Sequence, residues 1–178
     1  EGKTPSLKGV EFSGMAAPVS DDERAQAYTS ASIIVTYSNG QQKISPLTYH
    51  TLFYTTDAID GVTAGAVYES NGKPFIDYSA DVATPFVADT PDGQSLFQLK
   101  GAPQTGKGGY PLYLVTQYEY VTRDNAGNST YGKLPMSMSL GTVDQNRRNG
   151  DLSVVKLRNI DMAGVGGLWI PCAASLSP

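Results

Sequence analysis

Turn signals cut this chain into pieces that suit strands better than helices. Ser38-Asn39-Gly40-Gln41 and Ser70-Asn71-Gly72-Lys73 each hold an Asn-Gly pair, which accepts the positive φ of a tight hairpin turn. Pro91-Asp92-Gly93, within Asp89-Thr90-Pro91-Asp92-Gly93, is a third strong turn signal. Between such signals lie runs of β-branched and aromatic residues. Ile33-Ile34-Val35-Thr36-Tyr37 reads as a strand that returns through Gln42-Lys43-Ile44-Ser45. Tyr49 to Thr55 reads as another, and Ala66 to Glu69 with Phe75 to Tyr78 forms a second hairpin. Leu112 to Tyr120 is the clearest buried strand, and Asp151 to Leu157 is the last. One helix is expected, over Asp21 to Tyr28. Ser20 and Glu23 stand in the spacing of a capping box there, and acidic residues occupy the positive end. The pattern is all-β with one short N-terminal helix. Spacing alone does not choose among a sandwich, a barrel and propeller blades.

Charge narrows the partners. The net charge is −4, and no basic cluster exceeds Arg147-Arg148, so nucleic acid is not an expected ligand. No run of about 18 apolar residues is present, so no membrane-spanning helix is expected. The chain opens Glu1-Gly2-Lys3-Thr4-Pro5, which reads as a mature N-terminus left after processing. Its last stretch, from Gly166 through Trp169 and Cys172 to Pro178, is apolar and Gly-rich and holds the single Trp and the single Cys. A natural terminus is more often polar. The protein is therefore expected to continue past Pro178, completed by its own remaining residues or by a complementary chain.

Few residues carry chemistry by type. His50, the single histidine, sits in a strand-like stretch and reads first as a packed or surface residue; a Cys172–His50 dyad stays open as an alternative. Gly106-Lys107-Gly108-Gly109 lacks the spacing of a phosphate-binding loop and reads as a flexible connection. Asp89 and Asp92 flank a turn as carboxylates do in calcium loops, without the twelve-residue register, so a plain turn is favoured. Asn128-Ser129-Thr130 matches a glycosylation sequon. Glu119 ends a hydrophobic strand between two tyrosines. An acid there is costly to bury unless paired or bound to a metal. Strict alternation places it on the face of Gln117 and Val121, which leaves a solvent-facing position open.

Three short segments, in order, resemble the PhoX-type alkaline phosphatases, a family of secreted bacterial β-propeller enzymes. Leu114-Val115-Thr116-Gln117-Tyr118-Glu119-Tyr120 is similar to a family strand ending in an Asn-His-Glu-Tyr-like stretch. Gly150 to Lys156 is similar to a Gly-Val-Ser-Val-Val-Glu segment, and Cys172 to Pro178 to a Cys-Ala-Gly-Gly-x-Thr-Pro element. The likeness covers Phe86 to Pro178. It implies a propeller whose channel holds iron and calcium ions, with Glu119 as a metal-site carboxylate and Cys172 as an iron ligand. The implied substrate is a small phosphate ester, and the implied location is secreted or periplasmic. Tyr118 stands where the family has His, and Ala174 and Ser175 where it has paired glycines, so an altered metal site is expected. The family's later Cys-Glu-Glu element has no counterpart here.

These observations lead to one expectation: residues 1–178 form the N-terminal part of a single β-propeller domain of a PhoX-like metal-dependent phosphatase. The alternative is a non-catalytic extracellular β-module, a binding or structural protein on the same scaffold.

Overall fold

The structure, a computed structural model, describes residues 4–103 and 110–175. The Gly106-Lys107-Gly108-Gly109 segment lies outside the described residues. The chain divides into two compact units, Glu1–Thr51 and Leu52–Pro178. The described secondary structure is almost entirely antiparallel β, and no sheet among the described residues closes on itself. No described helix is long and apolar enough to cross a membrane.

The first unit is a three-stranded sheet in the order β1-β2-β3, formed by β1 (Leu7–Phe12), β2 (Ser32–Tyr37) and β3 (Gln42–Pro46). The β2–β3 hairpin turns at Gly40, where φ is 81°. The Gly40 amide donates to the Tyr37 carbonyl and the Gln41 amide to the Asn39 side chain. β1 escapes sequence reading because Lys8, Gly9 and Glu11 dilute its β signal. The helix α1 is a single turn, Asp21–Arg24, rather than a run to Tyr28. Its capping box forms as expected, with the Glu23 amide donating to Ser20 Oγ and the Ser20 amide to the Glu23 carboxylate. No residue of α1 is buried, so nothing offsets the cost of extending a short helix.

Tyr49 to Thr55 is not a strand. Its later residues turn instead: the Tyr54 amide donates to the Asp57 carboxylate and the Asp57 amide to the Tyr54 carbonyl. High β propensity without a neighbouring ladder leaves the segment irregular.

The second unit holds two small ribbons, β4 (Ala58–Ile59) with β5 (Val62–Thr63) and β6 (Ile76–Asp77) with β7 (Thr84–Pro85). The expected Asn71-Gly72 hairpin is present as a bridge between Tyr68 and Pro74. Its main sheet has the order β11-β10-β9-β8, from β8 (Pro91–Phe97), β9 (Tyr110–Tyr118), β10 (Met138–Gln145) and β11 (Leu152–Ile160). Consecutive strands are neighbours throughout, so this is a four-stranded meander. β9 begins two residues before the expected Leu112 to Tyr120 run and stops two short of its end, while β11 begins one residue after Asp151 and continues three past Leu157. β10 escapes notice because Ser139 and Gly141 occupy its buried face; Gly141 sits opposite Leu114 on one side and Leu157 on the other.

Val67, Phe86, Ala88, Tyr118, Val121 and Met136 form the core, with Phe75, Leu134 and Leu168 packed against it. A large side chain buried this way contributes about 1.5–3 kcal/mol. The Phe75 and Phe86 rings meet at 5.9 Å between centroids.

Candidate metal centre

β8 starts where β9 ends, because Pro91 is registered against Tyr118. Pro91-Asp92-Gly93 is therefore the first part of a strand and not a turn. The register slips between Pro91 and Gln94, so the Asp92-Gly93 pair is taken up as a bulge. Thr90 fastens this corner. Its carbonyl accepts from the Glu119 amide at 2.9 Å, its hydroxyl donates to the Tyr120 carbonyl at 2.6 Å, and the Tyr120 amide donates back to that hydroxyl at 2.8 Å. Asp89 adds a bond from the Thr122 amide. Glu119 is thereby held beside the bulge.

The third residue comes from the segment after β11. Leu168 bridges Met136 through reciprocal backbone bonds of 2.7 and 2.9 Å. Gly166 and Gly167 have φ of 81° and 88°, which lets the chain turn back there, and the Trp169 indole donates to the Gly132 carbonyl at 3.3 Å. Ile170 also takes a positive φ, 47°, an uncommon conformation for a β-branched residue. The segment then passes directly over Gly93. A Cβ at Gly93 would lie 2.7 Å from the Ala173 Cα, so only glycine admits this approach. Gln117 reaches the same segment, donating from its side chain to the Ala173 carbonyl.

The result is a cluster. Cys172 Sγ lies 3.5 Å from Glu119 Oε1 and 3.2 Å from the Ile170 carbonyl. Donor atoms of Asp92, Glu119 and Cys172 all fall within 4.8 Å of one another. Asp92 and Cys172 are exposed and Glu119 is half-buried, so the cluster is open to solvent. Glu119 and Cys172, the two residues expected at a site, are thus brought together. Asp92, expected in a plain turn, joins them; the signal that pointed to it is the pair of carboxylates, Asp89 and Asp92, just before Gly93.

Partial desolvation pushes the Cys172 thiol above its ordinary range, and the hydrogen bond and negative charge of Glu119, then those of Asp92, push it further. A thiol among acids holds its proton until a cation replaces those repulsions with attraction. Two carboxylates and a thiolate form a donor set that iron accepts. Calcium takes six to eight hard oxygens, which two carboxylates and a sulfur do not supply. The donor set of the trio suits a transition metal such as iron or zinc better than calcium.

Tyr118, which the resemblance aligns with a His, points the other way. It is fully buried on the opposite face, its hydroxyl 2.8 Å from Ser139 Oγ, and burial pushes its pKa up to about 12. His50 is exposed, and the interactions described for the thiol run to Glu119, Asp92 and the Ile170 carbonyl. Ala174 is half-buried and Ser175 exposed, just past the contact with Gly93. Comparison with models of known families, with curated proteins and with solved structures finds no match for this chain.

Proposed function

We propose that this chain is the N-terminal portion of a β-propeller of a secreted PhoX-like phosphatase, and that Asp92, Glu119 and Cys172 hold iron in it. The observation that carries the reading is the meeting of two carboxylates and a lone thiol from three distant segments in one solvent-open cluster. The four-stranded meander supports the propeller, since such a sheet is the unit of a blade.

Bound iron would supply Lewis-acid stabilisation of negative charge on a phosphoryl oxygen. The chain's own residues do the rest. Thr90 fixes the backbone of Glu119, Gly93 lets the Cys172 segment approach, and Asp92 presents its carboxylate from the bulge. Three side-chain donors would hold the ion and leave room for water or a small phosphate ester. Calcium, if the protein carries it, requires other oxygen donors than these.

Anaerobic titration of the chain with iron, followed by metal analysis and absorption spectroscopy, tests the reading. The expected result is about one iron per chain and a thiolate-to-iron absorption band that Cys172→Ala abolishes. Hydrolysis of p-nitrophenyl phosphate by the iron-loaded protein, absent from the iron-free protein, would support the phosphatase assignment. A chain that binds no iron overturns the metal site; a portion of a propeller is expected to be inactive alone, so it is iron bound without turnover in the full-length protein that favours the non-catalytic module.

A further inference from the structure

Cys172 reaches the carboxylates on a strap, residues 168–173, that is fastened at both ends and strained between them. At the near end Leu168 is bridged to Met136, and the largely exposed Trp169 donates from its indole to the Gly132 carbonyl. The strain sits at Ile170. Its φ of 47° is left-handed, a region that crowds the Cβ of any L-residue. Pro171 follows, and a residue before proline is pushed toward extended backbone. Both preferences pull Ile170 away from the conformation it adopts, so contacts elsewhere must hold it there.

The far end shows what those contacts are. Gln117 and Glu119 stand two residues apart at the end of β9, so both side chains leave the sheet on one face. Glu119 takes the thiol of Cys172, and the Gln117 side-chain amide donates to the Ala173 carbonyl one residue further on. The two holds differ in kind. The hydrogen bonds of the thiol to Glu119, Asp92 and the Ile170 carbonyl depend on its proton. Coordination of the sulfur releases that proton to solvent, and those bonds end with it. The Gln117 bond joins a neutral amide to a neutral carbonyl and does not depend on the thiol proton.

We infer that Gln117 is a positioning residue of the cluster: its side-chain amide latches the strap over Gly93 and keeps Cys172 facing Glu119 and Asp92 against the strain at Ile170. The consequence for a metal rests on the proposed centre; the latch itself does not. Gly93 makes room for the strap, and Gln117 retains it. Without the latch, Ile170 relaxes toward extended backbone and the thiol leaves the carboxylates. One exposed hydrogen bond is a modest hold, so its loss shifts the strap and leaves the sheet folded.

Gln117→Met keeps the length of the side chain and deletes the donor. In the metal-free ¹⁵N-labelled protein, amide order parameters at Cys172 and Ala173 should fall from the rigid range of about 0.85 toward the flexible range below about 0.6, while those of β9 and β10 stay those of the parent. In an anaerobic titration the variant should bind Fe(II) about fivefold more weakly than the parent, as loss of one such bond implies. Ile170→Gly removes the strain and should act in the opposite sense, tightening Fe(II) about threefold. Unchanged order parameters in Gln117→Met overturn the latch, and so does a loss of order spread through β9, which would make Gln117 a support of the strand. Equal Fe(II) affinity of parent and Gln117→Met, or weaker binding by Ile170→Gly, also overturns it. A parent that binds no Fe(II), with order lost at Cys172 and Ala173 in Gln117→Met, removes the metal and upholds Gln117 as the residue that retains the thiol.

Discussion

At the scale of single residues, one atom can settle a local arrangement, and three positions show it. Gly93 is the first. Its missing Cβ is the space that the Cys172–Ala173 backbone occupies. If the cluster holds iron as proposed, Gly93→Ala should push the segment off the bulge and weaken that binding by about tenfold or more, while far-ultraviolet circular dichroism stays that of the parent. Equal iron affinity in the variant would remove Gly93 from the site. Thr116 is the second. It is fully buried on β9 with a hydroxyl that has no partner. Thr116→Val keeps the branched shape and deletes the stranded oxygen, so denaturant unfolding should show a gain of about 1 kcal/mol. Asp77 is the third. Burial pulls its carboxyl up, but hydrogen bonds from the Ser79 hydroxyl and amide and from the Asn125 amide outweigh this, and the net shift is downward. A lowered folded-state pKa means stabilisation that is present above the unfolded value of about 3.9 and fades as pH falls through the folded one. The unfolding midpoint of the parent should therefore drop more steeply below about pH 4 than that of Asp77→Asn.

At the scale of elements, the segments that sequence pattern revealed are those whose pattern is local. The β2–β3 hairpin needs only Asn39-Gly40 and flanking β-branched residues, and the capping box of α1 needs only Ser20 and Glu23. β10 was hidden because its identity lies in its neighbours: Gly141 is a poor strand residue alone, yet it fills the narrow row between Leu114 and Leu157. The reverse error occurred at Tyr49 to Thr55, where strong propensity found no ladder to join. Pro91-Asp92-Gly93 shows a third kind of ambiguity. The residues that suit a turn also suit a bulge, and only the pairing of Pro91 with Tyr118 separates them. The candidate site divides the same way. Glu119 stood out as an acid in an apolar strand and Cys172 as the lone thiol, whereas Asp92 joins them through the bulge and the close pass at Gly93. That pass is tertiary geometry, which no local pattern encodes.

At the scale of the whole molecule, the two units differ in how much they bury. None of the described residues of the first unit is buried, and Phe12, Ile44 and Val10 stand well exposed on its sheet. The second unit holds every member of the core cluster. Local opening follows buried apolar contact, so amides of β1 to β3 should exchange with solvent faster than those of β9 and β10. Native-state hydrogen exchange read by mass spectrometry checks this, and equal protection in both units would contradict it. The close pass at Gly93 also sets an order in time. Cys172 follows Glu119 by 53 residues, and the β10–β11 hairpin lies between them in the chain. The thiol can reach the carboxylates only after that hairpin has docked on β9 and brought the segment behind it over the bulge. Closing so long a stretch of chain costs loop entropy before the contact rewards it. If the cluster binds iron as proposed, iron offered to a refolding chain should be captured only once that segment has docked, and the growth of a thiolate band would time the completion of the fold.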